Sequence, residues 1–335
     1  MSSAAEIKKL RGMDLSGYSL VGSDLAKANL KEAKLRGANL SGTDLSGADL
    51  TEADLTGANL SGADLYRTKL SGARLTGADL SDTDCTSANF EGAILQGAMF
   101  SGAKLPQAQL VNAKLSGADF TYADLSEANL GDANLSGASF FRANLNRANL
   151  ENAKLFGAKL QEAKLKNTNF RGADLSAAKM RDSDLTDSDL VKAKMGSVDL
   201  SNALLLNANF EEANLRSSTF AGANVQNAVL DGANIANSRL SRADFSGASL
   251  EASDLWFARV SGSQFGEANI KAAKLLATGL NKKFTLSEFP DIKFSRSTQW
   301  DNEQIRRHTV SVSQAKSIQA EVERHSWFSR LFNFK

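Results

Sequence analysis

Carboxylates are the chemistry-bearing side chains this 335-residue chain has in number, 38 Asp and Glu in all. Pairs such as Asp187 and Asp189 could do general acid–base work, but comparable pairs recur along the whole chain and none stands out. The other reactive types are scarce. His308 and His325 are the two histidines, both beyond residue 280, and Cys85 is the single cysteine. No HxxxH, CxxC or nucleophile-elbow spacing occurs. The reading is a non-enzyme, with no catalytic, cofactor-binding or metal-binding residue assigned and no cofactor expected. One carboxylate pattern is regular: Asp24, Asp44, Asp64 and Asp84 recur every twenty residues, followed by Lys104 and then Asp124. Stacked like charges are unfavourable without compensation. Either these short side chains bond local backbone at turns, or the strip of Asp24, Asp44, Asp64, Asp84 and Asp124 meets a basic partner.

What positions these side chains is a period of five. From Leu10 to Leu280 every fifth residue is apolar, 55 repeats in one frame, with Leu at 39 centres and Phe at 9. Two residues earlier sits a second column, Ala in 39 of the 55. Residues five apart on an α-helix are rotated by roughly 140°, which would scatter the leucines around its surface. A continuous strand would send alternate leucines into water. The pattern is satisfied if the chain turns a corner in every repeat, so that Leu and Ala return to one inner wall. Of the 25 glycines, 21 fall two residues after the central apolar residue, where a type II turn needs φ > 0. Where Glu52, Arg67, Asn112 or Asp132 replaces glycine, a different turn type is expected, because a positive φ is costly for most side chains.

The run Ala-(Asp/Asn)-Leu-x-Gly, as in Ala38-Asn39-Leu40-Ser41-Gly42, resembles the pentapeptide-repeat family over about residues 8–280. The resemblance implies an all-β solenoid, a right-handed quadrilateral β-helix of about 14 coils with four repeats, or twenty residues, in each. At ~4.8 Å per coil the rod would be ~65 Å long. Residues twenty apart become vertical neighbours, so Phe100, Phe120 and Phe140 should stack inside, and Cys85 should be buried packing. The organisation expected is a lead-in at 1–9, the β-helix at 10–280, an irregular cap at 281–300 and an α-helical tail at 301–335.

Charge separates the binding readings. Residues 41–135 hold 13 acids against 5 bases, whereas 136–280 hold 15 against 17 and residues 281–335 hold 6 against 10. Some members of the family protect type II topoisomerases by imitating DNA, but a rod so close to neutral would not generate a duplex-like field. One outer face, running Asp14, Lys34, Asp54, Arg74, Ile94, Lys114, Asn134, Lys154, Asp174, Lys194, reads as a partly alternating ion-pair ladder. Direct nucleic-acid binding is disfavoured, since the basic stretch alternates with acids and shows no interleaved aromatics. The preferred function is a non-catalytic protein-binding or scaffold rod of unknown partner. The alternatives are a DNA mimic that binds gyrase and a secreted effector that binds a host protein.

In the tail, Trp327, Phe328, Leu331, Phe332 and Phe334 crowd five large apolar side chains into eight residues. Trp256, Phe257 and Leu276 occupy outward columns near the end of the repeat and form a candidate docking patch for it. Three destinations stay open for the tail: its own rod, a homodimer or other protein partner, and a membrane surface. A cytoplasmic, bacterial-type location is expected, since neither a charged-then-apolar leader nor an 18-residue apolar run is present; a non-classical secretion route stays open.

Overall fold

The computed structural model describes residues 10–260, 262–265, 268, 269 and 273. The regular unit is a single parallel bridge, formed by the residue before each central apolar residue with its counterpart twenty positions on. Bridges run without a break from Asp14–Lys34 to Ser249–Asn269. Four such files make four faces, and each coil of twenty residues lies directly on the last. Within the rod the central column is closed to solvent: Leu30, Leu35 and Leu40 have no exposed surface, and the alanines at Ala33, Ala38 and Ala48 are equally buried. At roughly 4.7–4.9 Å per coil the core is a narrow line filled from four sides.

Backbone hydrogen bonds explain why five residues suffice for a side and a corner. In the repeat centred on Leu35, its N–H donates to Asp54 O at 2.7 Å and the Gly37 N–H to Thr56 O at 3.0 Å, both in the next coil. The Ala38 N–H closes the corner on Leu35 O at 3.1 Å, and the Asn39 N–H reaches back to Tyr18 O at 2.9 Å. Four of five donors are thereby used. The fifth, at the residue after the central Leu, is met by a side chain described below in repeats where Asp or Asn precedes that Leu, as at Ser41 beside Asn39.

The corners differ from the expectation for non-glycine positions. Glu52, Arg67, Asn112 and Asp132 hold φ of 59°, 53°, 57° and 56°, in the same left-handed region as the glycines. The lattice is the cause. The Glu52 N–H must meet Ser71 O at 3.0 Å while the Ala53 N–H meets Leu50 O at 3.0 Å, and another turn would forfeit both and break the register below. A left-handed residue costs roughly 1–2 kcal/mol. Two lost bonds with stranded partners cost at least as much, so the uniform corner wins. Pro106 occupies the position after Leu105 where a fixed φ suits the turn, and Ala108 N–H closes it at 3.1 Å.

Large side chains stack inside as the twenty-residue coil requires. The Phe100 and Phe120 rings lie 4.8 Å apart and 10° from parallel, and Phe120 and Phe140 5.0 Å and 4°. Cys85 is fully buried, 3.2 Å from Thr83 Oγ1, and burial pushes its thiol up to about 12. Inward hydroxyls replace alanine without leaving an orphan: Thr43 donates to Leu20 O at 2.8 Å and Thr68 to Leu45 O at 2.7 Å.

Candidate interaction surface

Every outward side chain belongs to a file whose members are one coil apart, so the surface is a lattice of files on a rigid frame. The acidic strip is one of them, with bridges Asp24–Asp44, Asp44–Asp64, Asp64–Asp84, Asp84–Lys104 and Lys104–Asp124. Each aspartate also has a local task. Asp24 Oδ1 accepts the Ala26 N–H at 3.1 Å, and Asp44 that of Ser46 at 2.9 Å. Asp64 serves Tyr66 at 2.8 Å, Asp84 Thr86 at 3.0 Å and Asp124 Ser126 at 3.0 Å. This is the fifth donor of the repeat, and it explains why Asp and Asn dominate the column.

Some carboxylates gain further donors. Burial pushes the Asp54 carboxyl up, and the Thr56 hydroxyl (2.6 Å) and N–H (3.1 Å) outweigh it, holding the group below the usual carboxylate value. Asp49 with Thr51 and Asp244 with Ser246 behave alike. On another file amides form a ladder: Asn129 Nδ2 donates to Gln109 Oε1 at 3.3 Å, Asn149 to Asn129 at 3.1 Å and Asn169 to Asn149 at 2.9 Å.

The expected ion-pair ladder is largely absent. Lys34 reaches Asp14 at 3.9 Å, but Asp54 pairs with the corner residue Arg36 at 3.9 Å and not with its file neighbours. Among the described residues Arg74, Lys114, Lys154 and Lys194 form no ion pair within 4.0 Å. The corner residues lie off the file and compete for the carboxylates, a geometry that the linear sequence order hides.

Two aromatic groups occupy corners. Tyr122, 56% exposed at a φ of 60°, packs edge-on against Phe141 with centroids 6.0 Å apart. Arg142 lies over both rings, 6.0 Å from Tyr122 and 5.1 Å from Phe141, and its Nε donates to Glu162 Oε2 at 2.6 Å. This cluster was missed in the sequence, although the twenty-residue step from Tyr122 to Arg142 and on to Glu162 signals it. Phe156, 58% exposed, is a further outward aromatic close in sequence to Lys154 and Lys159, so the basic stretch does carry exposed rings. The second group is Trp256 and Phe257, 42% and 51% exposed and packed edge-on at 6.1 Å. Their proposed companion Leu276 lies outside the described residues, as do Trp327, Phe328, Leu331, Phe332 and Phe334.

Among the described residues no group of three or more His, Cys, Asp or Glu could hold a metal ion, and no helix is long and apolar enough to cross a membrane. A four-sided parallel stack of this kind, with one corner per five residues, is a right-handed quadrilateral β-helix. A family model described as "Pentapeptide repeats" matches eight copies over residues 9–42, 43–82, 83–121, 118–157, 153–190, 193–232 and 228–266, and the chain belongs to that family.

Similar solved structures include HetL of Nostoc sp. strain PCC 7120, described as involved in heterocyst differentiation regulation. It is 32% identical, covering 69% of this chain and 86% of that one, with a TM-score of 0.21. A pentapeptide repeat protein from the thylakoid lumen of Arabidopsis thaliana is 36% identical over 34% of this chain and 74% of its own, with a TM-score of 0.20. QnrB1, described as a plasmid-mediated fluoroquinolone resistance protein, is 21% identical over 53% and 88%, with a TM-score of 0.35. No curated protein matches the chain.

Proposed function

We propose that the chain is a non-catalytic rod that binds protein partners through its outer files, with residues 281–335 serving as the oligomerisation or partner-docking element. The observation that carries this reading is the pair Trp256 and Phe257. Two large aromatics stand in solvent at a corner, and Phe257 holds a φ of 56°, a strained conformation for a bulky side chain. The same two columns carry Ser16 with Gly17 and Ser116 with Gly117 elsewhere. Exposed apolar surface of this kind favours a contact that covers the pair. The interior supports the non-catalytic half of the proposal, since its columns are filled by Leu, Ala and Phe.

Light scattering on full-length protein and on a truncation after Leu280 tests the tail. A full-length dimer that becomes a monomer on truncation supports the proposal, and a full-length monomer removes the dimer. Affinity capture with Trp256→Ser/Phe257→Gly beside the unaltered chain tests the patch. A partner retained equally by both would place docking elsewhere. The gyrase reading draws no support from the acidic strip, because the turn bonds already account for its aspartates. A supercoiling assay with the purified chain decides it directly.

A further inference from the structure

One face of the rod presents cations in alternate coils. Arg74, Lys114 and Lys154 are exposed and separated by the half-buried neutral side chains Ile94 and Asn134, and Lys34 and Lys194 continue the spacing at either end. None of the central three forms an ion pair among the described residues, although Arg74 lies near enough to Asp54 to help hold its carboxyl down. No acid interrupts this file between Asp54 and Asp174. Arg74, Lys114 and Lys154 therefore form a row of even spacing with no ion pair among the described residues.

A second observation concerns the edge beside this row. The corner column running from Gly17 to Gly157 at twenty-residue steps is glycine in eight consecutive coils, and a Cβ at any of them would meet nothing within 4 Å. Non-glycine corners elsewhere keep the same φ, between 53° and 61°. Packing does not require glycine here, and the positive φ that favours it is tolerated by other residues at corners elsewhere. The glycines leave one column of this corner free of side chains, so that another backbone can pass closely beside Thr76, Gln96, Ser116 and Ser136, with Phe156 exposed at the far end.

Spacing selects the occupant. Cations in alternate coils are about 9.4–9.8 Å apart. A polyproline II segment has three residues per turn and rises about 9.3 Å per turn, so every third side chain returns to one side at nearly this interval. A β-strand would turn alternate third residues away from the rod. An α-helix with acids at heptad spacing advances about 10.5 Å and drifts out of step by about 1 Å per contact. Phosphates along a duplex strand, about 3.4 Å apart, have no such period. We infer that this face binds an extended acidic protein segment in the polyproline II conformation, with Asp or Glu at every third position facing Arg74, Lys114 and Lys154. The inference rests on the rod being a protein-binding element, and it names the chemistry of one partner.

The test is fluorescence anisotropy of a labelled (Glu-Pro-Pro)5 peptide titrated with the full chain. A peptide of identical composition with its five glutamates in one block, and a helical peptide with acids at heptad spacing, serve as competitors. Expected is at least about tenfold tighter binding of the periodic peptide, weakened about threefold to fivefold by Lys114→Ser and more by Lys114→Glu, since one exposed pair contributes at most about that factor. Gly97→Gln, at a corner whose φ of 62° resembles the 57° of Gln107, should leave the rod folded, with a modestly lower circular dichroism melt from the left-handed strain, and still weaken binding. Equal affinity for the periodic and blocked peptides, no binding at about millimolar protein, or indifference to Lys114→Glu in a folded rod would each overturn the inference. Those results would leave the tail measurements standing, so the two readings fail separately.

Discussion

The aspartates and asparagines before each core leucine are the residues whose meaning the structure changes most. In sequence the strip at Asp24, Asp44, Asp64 and Asp84 reads as turn chemistry first and as a charged interface second. Bonds from the side-chain oxygen to the N–H two residues on give every member a structural task. Asp64→Ala should therefore destabilise the rod by about 1 kcal/mol by orphaning the Tyr66 N–H. Asp64→Asn, which keeps the acceptor and drops the charge, should be near neutral in the same melting experiment. A pH dependence follows from Asp49, Asp54 and Asp244, whose folded carboxyls sit below the unfolded value near 3.8. Their stabilisation is fully present above that value and is lost as pH falls through the lower folded values. Thermal midpoints should decline below about pH 4, and Thr56→Val should make that decline smaller, because losing a donor brings the folded Asp54 carboxyl closer to its unfolded value.

At the level of coils and corners, most of what matters was legible. The Leu column, the Ala column and the twenty-residue step all follow from sidedness, and the stacked rings of Phe100, Phe120 and Phe140 lie where that step puts them. Phe120→Ala should cost ~3–5 kcal/mol in denaturant unfolding, as buried aromatic truncations do; an unchanged midpoint would contradict the stack. Corners such as Glu52 and Arg67 were not legible, because residue preference there is overruled by bonds to a coil nineteen residues away. The cluster of Tyr122, Phe141 and Arg142 is intermediate. Tyr122 and Arg142 are spaced by one coil, with Phe141 next to Arg142 in sequence, but only the geometry shows the guanidinium lying over both rings.

Across the whole molecule, stability is shared between neighbouring coils and not pooled in one globular core. Deleting one coil beyond the cation row, residues 201–220, should leave a folded and slightly shorter rod with all files in line, as judged by circular dichroism and by retained binding of the periodic peptide. Deleting five residues, 121–125, keeps the core columns but moves every later residue one face round. Lys154 would then leave the file that holds Arg74 and Lys114, and peptide affinity should fall while the rod still folds. Equal binding by both deletions would mean that the outer files do not determine recognition. Function was less legible than fold for a related reason: the repeat dictates which residues face outward, and the partner is written in the exceptions.

The uneven bonding between coils also gives the rod an electrical polarity. In each repeat two N–H groups point toward the C-terminal end, as at Leu35 and Gly37, and one points back, as at Asn39. Their peptide dipoles do not cancel but add from coil to coil, as they do in a helix, with the opposite sense, so that the positive pole lies at the C-terminal end. Side-chain charge leans the same way, since the acidic stretch of residues 41–135 precedes a slightly basic one. An anion diffusing near this rod is drawn toward its last coils and a cation toward its first, and in an applied field the molecules align in one sense along their length.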